Sequence, residues 1–273
     1  MWGKCDARRL LLAFVLTLGG LAEARAGEAP PTAMEVVERV NARSEGVAQR
    51  RRVKMELIDA RGRTRTRVAT VFRKYVGADK KTTVFFSEPA VIAGTAFLTW
   101  DYAAPDREDD VWLYLPAHRK VRRVSPGDRG SAFFGTDLSY EDVKKETKLA
   151  VEDYHWRLLG EEMVDGRHCW VLEAVPVDER TARELGYGRV VSRIDSELWL
   201  TRLADYWDTK GQHLKTARHL EIAPVDGIWT PLRTEVVNHR SGHRTVLSYS
   251  EIAYEDGIDD AVFEPANLTR GAP

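Results

Sequence analysis

Four glycines near the end of the chain, Gly211, Gly227, Gly242 and Gly257, stand 16, 15 and 15 residues apart, each within a polar turn-forming group. The groups are Asp208-Thr209-Lys210-Gly211, Asp226-Gly227, Arg240-Ser241-Gly242-His243 and Asp256-Gly257. Such residues accept the backbone angles that tight hairpins demand. The intervals leave roughly 10 to 12 residues per strand, about 35 Å at 3.4 Å per residue. The same punctuation occurs at Asp59-Ala60-Arg61-Gly62 and at Asp165-Gly166. Between turns the period is two, as where Val53, Met55 and Leu57 alternate with Lys54 and Glu56. Strands of this length suit a large curved sheet better than a compact sandwich. No motif recurs from one interval to the next, so the pattern is a meander and not a repeat array.

Two stretches depart from that period. After Pro30-Pro31, Thr32 and Glu35 form a capping box, and Met34, Val36, Val37 and Val40 recur at helical spacing before Gly46 offers a stop. The second is "GSAFFGTDLSYEDV", Gly130 to Val143, where Thr136 or Ser139, with Asp142 three residues beyond Ser139, supplies a helix cap. Pro126 ends the preceding strand, and Gly127, Gly130 and Gly135 give the backbone around Phe133 and Phe134 unusual freedom. Two readings stand for this segment: a lid that lies across the sheet with both rings inward and lifts for a ligand, or a fixed helical plug.

The chain begins with Lys4, Arg8 and Arg9, an apolar run from Leu10 to Leu18 broken by Thr17, and the small-residue site Ala24-Arg25-Ala26. This predicts a secretory signal peptide over residues 1–26, too short in its apolar part to span a bilayer. Residues 27–273 are then expected to form a single exported domain of 247 residues, with 37 basic against 40 acidic side chains. A net charge of −3 implies neither nucleic acid nor an anionic membrane surface as partner. Cys5 leaves with the signal, so Cys169 has no disulfide partner in the mature chain.

Aromatic residues cluster on the expected strands, and "VWLYL" and "ELWLT" are apolar on both faces, which a sheet with one wet side does not require. A long curved sheet with two small helical covers either encloses an apolar cavity or fills its interior with those aromatics. Catalytic signals are weak. No Gly-x-Ser-x-Gly turn occurs, and the seven histidines show no zinc-ligand spacing. The expectation is a non-enzyme without metal or cofactor.

At "DDVWLYLPAHRKVRRVSPGDRGSAFFGTDLSYEDV", Asp109 to Val143, the chain resembles the outer-membrane lipoprotein-sorting proteins, the LolA-like group. The likeness continues in "VIAGTAFLTWDY", "SELWLTRLADYWDTKGQHLKT" and "DGIWTPLRTEVVNHRSGHRTVLSYSEIAYEDGIDDAVFEPANL", so that it spans about Met34 to Leu268. The resemblance implies a mainly β fold, one incomplete antiparallel β-barrel with an N-terminal helix and a short central helical lid over its concave face. It implies a periplasmic carrier that shields a lipid or the acyl chains of a lipoprotein and delivers it toward the outer membrane. An inner-membrane lipid exporter and an outer-membrane acceptor are the implied partners. Phe97, Trp100, Trp112, Phe133 and Phe134 are the expected cavity or lid contacts. The rival is a non-catalytic adaptor of an envelope lipid-export transporter, and an enzyme acting on lipid is a distant third.

One departure from the carriers is the basic run His118, Arg119, Lys120, Arg122 and Arg123. On a strand, His118, Lys120 and Arg122 share one face and Arg119 and Arg123 the other. The run reads either as a solvated edge strand protected by its charges or as a contact for a phosphate headgroup or acidic partner. No single residue matches the arginine that holds the lid in those carriers.

Overall fold

Among the described residues, thirteen strands pair in one antiparallel sheet whose order follows from the hairpin turns. The computed structural model describes residues 29–104, 107–255 and 257–273. The expected signal peptide lies outside them. A first meander comprises β1 (Ala48–Ile58), β2 (Thr64–Val76), β3 (Asp79–Glu88), β4 (Ala96–Asp101), β5 (Asp110–Leu115) and β6 (Lys120–Arg123). A second comprises β7 (Tyr154–Val164), β8 (Arg167–Pro176), β9 (Arg189–Asp195), β10 (Thr201–Trp207), β11 (His213–Val225), β12 (Ile228–Asn238) and β13 (Arg244–Ala253). β13 pairs with β1, Ile58 lying opposite Arg244, and this joins the halves in the order β6-β5-β4-β3-β2-β1-β13-β12-β11-β10-β9-β8-β7. The result is an incomplete barrel with β6 and β7 as its free edges. Residues 124–153 connect those two edges, and on a curved sheet the short route between them runs across the open side.

Among the described residues three α-helices serve this sheet: α1 (Ala33–Ala42), α2 (Tyr140–Lys145) and α3 (Glu179–Leu185). Both expected capping boxes are present, Thr32 with Glu35 on α1 and Ser139 with Asp142 on α2. α1 buries Val36, Val37 and Val40 completely against Leu172 and Ile194, with Trp156, Trp170 and Trp199 packed around them. At roughly 1.5–3 kcal/mol per fully buried side chain, these three valines hold a helix too short to persist alone in water. The segment leading into α2 covers the inner face of the other half, where Val53, Met55, Val71, Val84, Phe86 and Phe97 meet Phe133.

The outer face of β2 to β6 is covered as well. After β13 the chain passes over it in the 3-10 turns Asp260–Phe263 and Pro265–Arg270, which lay Val262, Phe263 and Leu268 against Phe72, Phe85 and Leu98. This explains why "VWLYL" is apolar on both sides: Val111 packs inward under the lid segment while Trp112 and Tyr114 join the outer cluster.

Several sequence expectations are corrected by long-range packing. β13 ends at Ala253 and Gly257 leads to the 3-10 turns on the outer face rather than into a further strand; Asp256, the other half of the expected turn, lies outside the described residues. "ELWLT" is not a strand; Glu197 to Leu200 form the β9–β10 connection, with Trp199 at φ 51° beneath the Arg39 guanidinium, 4.7 Å from its ring. His118 belongs to the 3-10 turn Pro116–His118 and Arg119 is left-handed, so only Lys120 to Arg123 alternate on a strand. That strand is the sheet edge, and Lys120, Arg122 and Arg123 are exposed there. α3 was not expected. Its signals are the Asp178 side chain, which accepts from Thr181 N–H, and left-handed Gly186 at its end.

Candidate functional site

The lid segment folds on itself before it reaches α2. Phe133 N–H donates to Leu138 O (2.7 Å), Tyr140 N–H to Ser131 O (3.1 Å) and Glu141 N–H to Arg129 O (3.0 Å). The turn at its tip places Phe134 and Gly135 at φ 47° and 71°, a left-handed pair that favours glycine at the second position. Phe133 is 1 % exposed, and its ring lies 5.1 Å from Phe97 and 4.9 Å from Phe134, which in turn lies 4.7 Å from Phe86. Gly130 serves close approach rather than freedom: a Cβ there would sit 2.6 Å from Leu185 O, and its N–H donates to Glu184 O at 2.7 Å. Gly130→Ala must therefore push the lid segment off α3. We expect a loss of about 1–3 kcal/mol in denaturant unfolding, typical of inserting a methyl into a filled contact; no loss would show that the segment is not seated as described.

Charged side chains fix the lid to the sheet. Lys215 from β11 donates to Asp142 Oδ2 (2.5 Å) and Asp137 O (2.9 Å). His243 Nδ1 and Thr245 Oγ1 lie 2.6 and 2.7 Å from Asp137 Oδ2. Just past α2, Glu146 pairs with Arg51 of β1, whose guanidinium lies 4.9 Å from the Tyr249 ring centre. Lys145 reaches Asp101 at 2.7 Å.

Between this lid, α1 and the sheet lies a cavity of about 230 Å³. Its floor is made by small residues: Ala217 of β11 stands opposite Ala204 on β10 and Val236 on β12, and all three line the space. Leu185 and Val190 lie at one end beside the paired Lys215 and Asp142, whose carboxylate accepts from the Tyr187 hydroxyl at 2.9 Å, and Tyr206, Tyr249 and Trp156 add aromatic walls. The other end is the more highly charged. Arg43, Glu45, Arg73, Lys148, Arg202 and His219 line it beside Trp229, which is 43 % exposed.

Glu45 organises the polar end. It is 4 % exposed and accepts from Arg43 Nη2 (2.9 Å), Arg73 Nη1 (3.4 Å), the Tyr75 hydroxyl (2.7 Å) and Thr147 Oγ1. Burial pushes its carboxyl up, but Arg73, Lys80, Lys148 and Arg43 outweigh burial and hold it at about 2. His219 is neutral: burial, then the positive charges of Arg43 and Arg202, lower it to about 4, and its Nδ1 lies 2.7 Å from Thr234 Oγ1. For Lys148, burial and the neighbouring Arg43, Lys80 and Arg73 outweigh the attraction of Glu45 and lower the ammonium to about 8.

Of the five expected contact residues, Phe133 lines the cavity, with Phe97 and Phe134 stacked behind it. Trp100 and Trp112 are placed elsewhere. Their rings meet 5.0 Å apart on the outer face, and Trp100 Nε1 donates to Phe263 O at 2.8 Å. Alternation along β4 already puts Phe97 and Trp100 on opposite faces. The cavity floor comes instead from β10 to β13. The signal missed there was the run of small inward residues, which leaves space that aromatics do not fill.

The sheet is thus half open, and its concave side is closed by a helical lid over a cavity. A family model described as that of an uncharacterized protein matches residues 78–270. A DUF1329 family protein from Desulfovibrio piger is 31% identical, with a TM-score of 0.78 over 86% of this chain and 97% of that one. The chain belongs to the DUF1329 family. It is also similar to an outer membrane lipoprotein-sorting protein domain from Vibrio parahaemolyticus, 28% identical with a TM-score of 0.79, covering 87% and 98% of the two chains. A LolA superfamily protein from Nitrosomonas europaea, 22% identical with a TM-score of 0.66 over 86% and 98%, shares the fold. No curated protein matches the chain.

Proposed function

We propose that the protein is a periplasmic carrier that holds a lipid, or the acyl chains of a lipoprotein, in the cavity beneath the lid and delivers it toward the outer membrane. The cavity itself carries this reading: a space floored by Ala204 and Ala217 and walled by aromatics, placed where the edge-to-edge connection crosses the open sheet. The similarity to a lipoprotein-sorting domain supports the class of cargo. Among the described residues no helix is long and apolar enough to cross a membrane. Burial of each methylene contributes about 0.8 kcal/mol, so one long chain binds tightly without a polar code.

At about 230 Å³ the cavity is smaller than the ~300–1,000 Å³ of common ligand sites, so a full chain requires the lid to lift or the chain to extend out of the cavity. Arg51 and Lys215, which pair with Glu146 and Asp142, are the residues we assign to holding the lid down. Phe133, backed by Phe97 and Phe134, is its apolar underside. Donor and acceptor are an inner-membrane lipid exporter and an outer-membrane acceptor. Detergent-free, delipidated protein should take up a fluorescent fatty acid saturably at one site. Failure to take up any acyl probe would favour the adaptor reading.

A further inference from the structure

The polar end of the cavity carries more positive than negative charge. Among its lining residues as a whole there are seven lysines and arginines against four aspartates and glutamates. At the polar end the carboxylates are already committed: Glu45 serves Arg43 and Arg73, and Glu146 serves Arg51 and Arg73. Three groups there have hydrogen-bonding or charge capacity left over. Among the described residues Lys148 has no carboxylate partner; its Nζ donates to the main-chain oxygens of Asn41 (2.6 Å) and Arg43 (2.9 Å) and keeps a third proton. Arg202 gives only its Nε to Asp195, at 2.7 Å, and its two terminal nitrogens have no partner among the described residues. His219 uses Nδ1 on Thr234 and leaves Nε2 toward the cavity it lines.

This end adjoins the surface: Arg43, Glu45 and Lys148 line both the cavity and an outer recess beside Gly46 and Val47, and Trp229 here is 43 % exposed. Beyond it the lining offers Ala217, Ala204, Leu185 and Val190, and the one ion pair at that far side, Lys215 with Asp142, is closed on itself. An occupant that satisfies both ends has an apolar tail and a negative head.

We infer that the cargo is an anionic amphiphile whose phosphate or carboxylate head sits against Lys148, Arg202 and His219 at this end, while its acyl tail lies over Ala217 and Ala204. This rests on the carrier reading and narrows it, because an uncharged acyl glyceride leaves Lys148 without a counterion and the terminal nitrogens of Arg202 without an acceptor. Arginine and lysine hydrogen bonds to such oxyanions are charge-assisted and are among the stronger ones available.

The test compares three probes of equal chain length on the delipidated protein at 0.15 M salt: palmitate, palmitoyl lysophosphatidic acid and monopalmitoylglycerol. At least one anionic probe should bind about tenfold or more tightly than the glyceride, and the tighter of the two identifies the head as carboxylate or phosphate. In Lys148→Met that preference should shrink severalfold, and Lys148→Gln gives a second measure should the first variant unfold. Equal affinity for all three probes, or a preference unchanged in both folded variants, overturns this inference and leaves the carrier standing. No uptake of any probe overturns both.

Discussion

Glu45→Ala should lose about 3–5 kcal/mol of unfolding free energy, the typical cost of removing one member of a buried ion pair. The loss arises because Arg73, 3 % exposed, keeps its charge while its nearest carboxylate disappears. Replacing both partners, Glu45→Leu with Arg73→Met, should recover much of it, since neither charge then stays buried alone. Buried carboxylates also set the response to acid. Glu45 and Glu141 are both held at about 2 in the folded protein, against an ordinary 4.5; for each, burial opposes the shift and neighbouring cations (Arg73 foremost for Glu45, Lys144 and Arg129 for Glu141) overcome it. A depressed carboxyl stabilises the fold above its unfolded value and loses that contribution as pH falls, so stability should drop between about pH 4.5 and 2 by roughly 3 kcal/mol per group. Denaturant titrations at pH 7 and across that window check both expectations. A loss below about 1 kcal/mol in Glu45→Ala would mean the cluster is solvated rather than buried.

Ala217→Trp should abolish most acyl binding while leaving the fold intact. The alanine faces the cavity between Ala204 and Val236, and an indole there occupies space that a chain would use. Displacing three or four methylenes at about 0.8 kcal/mol each removes about 3 kcal/mol, or roughly a hundredfold in affinity. Fluorescent fatty-acid titration reads the affinity and thermal unfolding reads the fold. Unchanged affinity in a folded variant would place the acyl chain outside this cavity.

Local features of the fold were legible in the chain because local chemistry specifies them. The 13-, 11- and 10-residue lengths of β11, β12 and β13 match the glycine spacing, and the boxes at Thr32 and Ser139 start helices where expected. The pairing of β13 with β1 was not legible, since it joins residues nearly two hundred apart in the chain through main-chain bonds that any sequence provides. Alternation separates Phe97 from Trp100 without saying which faces the cavity; the 3-10 turns that cover Trp100 decide it.

The ionic end of the cavity was hidden by composition, which treats charge as surface. One clue lay in register: Gln49 and Arg51 continue the inward face of Val53, Met55 and Leu57, and Arg73 continues that of Ala69 and Val71. Charged residues in phase with an apolar stripe point to a polar interior site.

The central claim is that the cavity beneath the lid holds an acyl ligand. Native mass spectrometry of the protein released from the periplasm without detergent, followed by organic extraction, tests it most directly. The expected result is a bound species whose mass matches an acylated molecule and which is lost in Ala217→Trp. A protein that emerges empty under the same conditions, and stays empty after incubation with lipid extract, would contradict the account.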